Sequence, residues 1–87
     1  MERKSIVVNY SPFVMEQSVY YWENADCIEH RKCSIDDVPD MVQALKKKYQ
    51  VRQIDLAGPA DYLNKFKEIM SSKDYDFDDC TINIINR

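Results

Sequence analysis

The chain has 87 residues, enough for one hydrophobic core and too few for two. Its composition, 45% hydrophobic and 31% charged with one glycine and three prolines, excludes a linker or a low-complexity protein. A formal net charge of −3 and a pI near 5.0 argue against a dedicated nucleic-acid binder, which carries a positive excess, though not against a local basic patch.

The chain opens on "MERKSIVVNYSPF", a charged start with no seven-residue apolar block and no small-residue cleavage site, so no signal peptide is expected. The longest uncharged stretch, Ser5 to Met15, is too short and too polar to span a bilayer, and the expected location is the cytoplasm. "KSIVVNY" (4–10) is β-branched and predicts a first strand, which "SPF" (11–13) breaks because Pro12 has no N–H for a ladder. "QSVYYWE" (17–23) predicts a second strand, "NAD" (24–26) a turn, and "CIEHRKC" (27–33) a third strand, hairpin-paired with the second.

From Ser34 the period changes. "SIDD" has the form of a capping box with Ser34 at the N-cap and Asp37 as its partner. Ile35, Val38, Met41, Val42, Leu45 and Tyr49 follow at intervals of three and four, the stripe of an amphipathic helix. Pro39 falls in its first turns, where a missing N–H costs least, and Lys46, Lys47 and Lys48 complement the dipole at its end. "VRQIDLA" (51–57) predicts a fourth strand, and Tyr62, Leu63, Phe66, Ile69 and Met70 mark a second helix. "SSKDYDFDD" (71–79) reads as a polar loop, and "CTINII" (80–85) as a fifth strand.

The order βββαβαβ predicts one α/β domain over residues 1–87. If the first three strands form a meander, right-handed crossovers to the fourth and fifth give a mixed sheet in the order 3-2-1-4-5. Both crossovers travel the same way, so both helices fall on one face and the other is left open: a two-layer fold. Ile6, Val8, Tyr10, Ile54, Leu56, Cys80, Ile82 and Ile84 have the parity for the helix side. Ser5, Val7, Asn9, Gln53, Asp55, Thr81, Asn83 and Ile85 have the parity for the open side. Strand two is apolar on both sides, Val19 and Tyr21 against Tyr20 and Trp22, so one pair must stand on the open face.

This order of elements and the "IDLAGP" turn resemble the ribonuclease H-like fold shared with actin-like ATPase half-domains. The resemblance implies the same strand order, but its nuclease members need a carboxylate on strand one for paired Mg²⁺ ions. Here that strand reads "SIVVNYSP", with Asn9 as its one comparable residue and no acidic side chain between Lys4 and Glu16. The glycine-bearing phosphate turn of the actin-like members is missing after strand one, and shared topology does not carry activity across such gaps.

Other chemistry is equally thin. Gly58-Pro59 offers a single glycine and a residue without a donor, followed by Asp61, so it reads as a strand-to-helix turn with Pro59 near the first helical position. Asp74, Asp76 and Asp78 alternate as in a calcium loop, but Asp79 stands where the loop glycine belongs and Ile85 where the final Glu belongs. Along a strand Cys27 and Cys33 would lie about 20 Å apart with His30 on the opposite face from both, so "CIEHRKC" is not a metal site. His30, Glu29, Arg31 and Lys32 read as charged protection of an edge strand.

No catalytic residue, cofactor or metal is expected. The expectation is a small non-enzymatic protein that self-associates, as a homodimer, or docks a protein partner through Val7, Tyr20, Trp22 and Ile85. The alternative is a single-stranded nucleic-acid binder stacking bases on the same rings, with Arg31, Lys32 and Arg52 on phosphates; a divergent metal-dependent nuclease is a further one. A fourth, bland option is that Phe13, Met15 or the loop at 71–79 shields the rings.

Overall fold

The structure, a computed structural model, describes residues 3–72, 75 and 77–86. Strands β1 (Lys4–Asn9), β2 (Glu16–Glu23) and β3 (Asp26–Ser34) form an antiparallel meander. A 3₁₀ turn (Ile35–Asp37) leads into α1 (Val38–Tyr49), then β4 (Gln53–Gly58), α2 (Ala60–Met70) and β5 (Thr81–Asn86). The sheet order is β3-β2-β1-β4-β5, with β4 parallel to both β1 and β5, as the crossover argument predicts. α1 lies over β1, β2 and β3, and α2 over β4 and β5, so both helices cover one face. No helix among the described residues is long and apolar enough to cross a membrane.

Alternation builds the core. Ile6 and Val8, Val19 and Tyr21, and Ile54 and Leu56 are fully buried beneath Val38, Val42 and Leu45 of α1 and Leu63, Phe66 and Met70 of α2. Ile82, Ile84 and Cys80 are half-buried against the same cluster. Each fully buried branched side chain contributes about 1.5–3 kcal/mol of transfer free energy. Strand two's ambiguity is thereby resolved: Val19 and Tyr21 face the helices, with the Tyr21 ring stacked on Tyr49 at 3.8 Å and its hydroxyl donating to Glu23 Oε2 at 3.0 Å.

Several local expectations are corrected. Ser34 is the N-cap of the 3₁₀ turn and not of α1, which begins only at Val38, and its hydroxyl makes no cap bond to the backbone but donates to Asp37 Oδ2 at 2.9 Å. Proline explains the delay. The Val38 N–H bonds to the Ile35 carbonyl in 3₁₀ fashion, and Pro39 has no N–H for the α-type bond to that same carbonyl. Pro59 is the N-cap of α2 rather than its first residue. The loop after α2 is not uniformly polar, since Phe77 is buried in the core beside Lys46, whose ammonium lies 5.8 Å from the ring centre.

Candidate functional site

Cross-strand registers fix who stands beside whom on the open face. One row runs His30, Tyr20, Val7, Asp55, Asn83 from β3 to β5. The next row toward the strands' starting end places Trp22 opposite Ser5, and the row on the other side pairs Ala57 with Ile85. Val7, Tyr20 and Trp22 are therefore neighbours, each half-buried. Ile85 is 46% exposed but lies two strands from Val7, with β4 between them, so the anticipated single apolar island is split.

The two halves of the face differ in chemistry. On the β3-β2 side the Tyr20 and His30 rings stack nearly parallel, 4.3 Å apart, and Lys32 lies opposite Ser18. On the β4-β5 side Asp55 accepts from Asn83 Nδ2 at 3.0 Å and from Gln53 Nε2 at 3.4 Å. Phe13 and Met15 shield nothing, because both are 92% exposed. Their loop is held instead by buried Gln17, whose Oε1 accepts from the Ser11 N–H at 2.7 Å while Nε2 donates to the carbonyls of Ser11 (3.0 Å) and Val14 (3.1 Å).

The cations proposed for nucleic acid do not gather. Arg31 lies on the helix side, its Nε 2.7 Å from Glu29 Oε2; Lys32 is on the open side; Arg52 sits below β4, where its Nε is 4.0 Å from Asp79. Glu29 is the electrostatic centre that sequence reasoning missed. Its carboxylate also accepts from Lys48 Nζ at 2.8 Å and the Tyr49 hydroxyl at 2.7 Å, and these hydrogen bonds, Lys48's foremost, hold its pKa down at about 2. The charge of Glu29 and Arg31, expected to guard the edge of β3, is folded back toward α1.

The "CIEHRKC" segment contains a β-bulge. Tyr21 pairs with Glu29 and Trp22 with Cys27, leaving Ile28 as the extra residue and shifting the alternation by one. Cys27 consequently shares the open side with His30, contrary to the strict alternation assumed above, while Cys33 is buried opposite Gln17. Burial, with Asp37 and Glu16 nearby, pushes the Cys33 thiol up and away from thiolate chemistry.

The Gly58-Pro59 turn is closed. A Cβ on Gly58, whose φ is +149°, would sit 2.9 Å from the Tyr10 carbonyl oxygen. The Tyr10 ring fills the space above, against Tyr62 at 4.9 Å and Phe66 at 5.5 Å, and burial raises its pKa. Asp74 and Asp76 of the acidic run lie outside the described residues, while Asp79 accepts from Lys46 at 2.9 Å. Among the described residues no three His, Cys, Asp or Glu side chains are placed to hold a metal ion. Comparison with protein-family models, with curated proteins and with solved structures found no match.

Proposed function

We propose that this chain is a non-enzymatic cytoplasmic interaction protein that pairs with a second copy of itself through the open sheet face. The observation that carries the reading is the placement of Tyr20 and Trp22 beside Val7 on the side of the sheet away from both helices, with Phe13 and Met15 turned to solvent rather than over them. Aromatic residues of this kind are enriched at the centres of protein contacts. The second copy is favoured by the division of the face: Lys32 and the rings on one half, Asp55 and Ile85 on the other. A two-fold axis along β1, the middle strand, lays each half over its opposite on the partner. The strand order is also compatible with a minimal ribonuclease H-like core, a fold reading that carries no activity with it.

Sedimentation equilibrium of the parent and of Tyr20→Ala/Trp22→Ala tests the proposal. A concentration-dependent dimer that becomes monomeric in the double variant is expected; an unchanged mass across both proteins sinks it.

A single-stranded nucleic-acid binder remains as a second reading because the Tyr20–His30 stack presents a flat ring surface of the kind bases stack on. It requires affinity that falls steeply with salt. A flat anisotropy titration with labelled oligonucleotides at low ionic strength disposes of it.

A further inference from the structure

The strands' starting end holds a cleft of about 690 Å³ that borders the open face where Ser5 stands opposite Trp22. Arg3, Lys4, Asn24, Gln50, Arg52 and Thr81 line it, and no carboxylate does among its described lining residues. Topology assembles it. β1 and β4 are parallel neighbours, so Arg3 and Lys4 before and at the start of β1 meet Arg52 before β4, with Thr81 at the start of β5.

The helix dipole does not account for all of this charge. Lys4 Nζ donates to the Tyr49 carbonyl at 3.4 Å, near the end of α1, but Arg3 and Arg52 belong to no helix. Asp79 does not neutralise Arg52 in a close pair: it is 2.9 Å from Lys46 and 4.0 Å from the Arg52 Nε, whose side chain is 81% exposed. Asn24 uses its carbonyl oxygen on the Arg3 backbone N–H at 3.1 Å, so what it can offer a ligand is its amide NH₂.

We infer that this cleft is a binding site for a phosphate-bearing anion. Two guanidinium forks match pairs of phosphate oxygens, and Lys4 adds a point charge. A carboxylate, with one negative charge and two oxygens, would leave most of these donors unused. A phosphate group carries close to two charges and three strong acceptor oxygens at neutral pH. The overall charge of −3 does not oppose this, because the described acidic residues lie outside the cleft lining. The cleft borders the proposed pairing face at Ser5, Gln53 and Thr81, but its test reads anion binding rather than self-association.

The test is a titration of the full chain with pyrophosphate at low ionic strength, followed by backbone amide chemical shifts. Saturable shifts at Arg3, Asn24, Gln50, Arg52 and Thr81 are expected. Arg3→Gln and Arg52→Gln should each weaken binding about tenfold, whereas Lys47→Gln, on α1 and outside the lining, should leave it unchanged. Thermal melts establish that each variant is folded. A parallel titration with a 5′-phosphorylated dinucleotide separates the sources: tighter binding of pyrophosphate assigns a free phosphoanion, and the reverse assigns a nucleotide-borne phosphate. Shifts spread over the helix lysines, or an unaltered affinity in the two arginine variants, overturn the inference.

Discussion

Glu29 shows how much one side chain can bind together. It sits on the edge strand, yet its carboxylate joins β3 to the last turn of α1 through Lys48 and Tyr49, and Tyr49 in turn stacks on Tyr21. Folding lowers its pKa from the ordinary 4.5 to about 2. The unfolded state therefore binds the proton more readily, and the stabilisation is complete above the unfolded value and lost as pH falls through the interval down to about 2. Because Lys48 and Arg31 are more than half exposed, screening limits the effect, and Glu29→Gln is expected to cost about 1–2 kcal/mol at pH 7. Urea midpoints measured at pH 7 and pH 2.5 check it: the gap between parent and variant should narrow at the lower pH. Gly58 makes the complementary case. A Cβ there meets backbone rather than a movable side chain, at a φ of +149°, so Gly58→Ala should lower stability by about 1–3 kcal/mol in the same assay. The need for glycine was legible as a turn signal, but the reason was not. Tyr10 lies 48 positions away, and only the parallel pairing of β1 with β4 brings its carbonyl against Gly58.

Elements whose period is strong were legible, and the departures have identifiable causes. Ile6 and Val8, Ile54 and Leu56, and the Val38–Val42–Leu45 stripe lie where their spacing puts them, because a half-buried strand and an amphipathic helix have few other ways to hide apolar area. What sequence spacing could not carry is the bulge at Ile28, which needs a partner strand to be defined, and the burial of Phe77 within an acidic run. The β1–β2 connection is a third case. From spacing alone Gln17 is the first residue of the second strand, but it is 2% exposed and its side chain serves three backbone groups of the loop that carries Phe13 and Met15. Leucine has similar volume and none of these hydrogen bonds. Gln17→Leu should therefore leave the Ser11 N–H and two carbonyls without partners, costing about 2–3 kcal/mol. Hydrogen exchange at Ser11 should accelerate by more than that at Ile6 or Val8, which remain inside the core. Equal acceleration everywhere would mean that the side chain stabilises the whole fold and not the loop.

At the scale of the molecule, the strand order was legible because chirality leaves few alternatives, whereas the chemistry of the bare face depended on neighbours that only the registers define. Five strands, spaced ~4.8 Å apart and sharing about six residues of length at ~3.3 Å per residue, give a face of about 24 by 20 Å. That is roughly 500 Å² in projection, a modest face, so the proposed dimer should be concentration-dependent rather than permanent. Its symmetry can be tested through charge. An axis across the strands would lay like halves together and bring Lys32 near its own copy, a repulsive arrangement. An axis along β1 lays the Lys32 half over the Asp55 half instead. Asp55→Lys should accordingly weaken the dimer by about tenfold or more, Lys32→Glu should do the same, and the variant carrying both changes should recover most of the parent affinity. Asp55 hydrogen-bonds Gln53 and Asn83 on the open side of the sheet, where both partners are exposed, so the monomer should keep its fold, with a stability change within about 1 kcal/mol. Sedimentation equilibrium at two salt concentrations reads both effects at once: the single variants should respond to salt in the opposite sense from the parent, since screening relieves their repulsion. A doubly exchanged protein that is as weak as either single variant would show that the unlike halves do not meet.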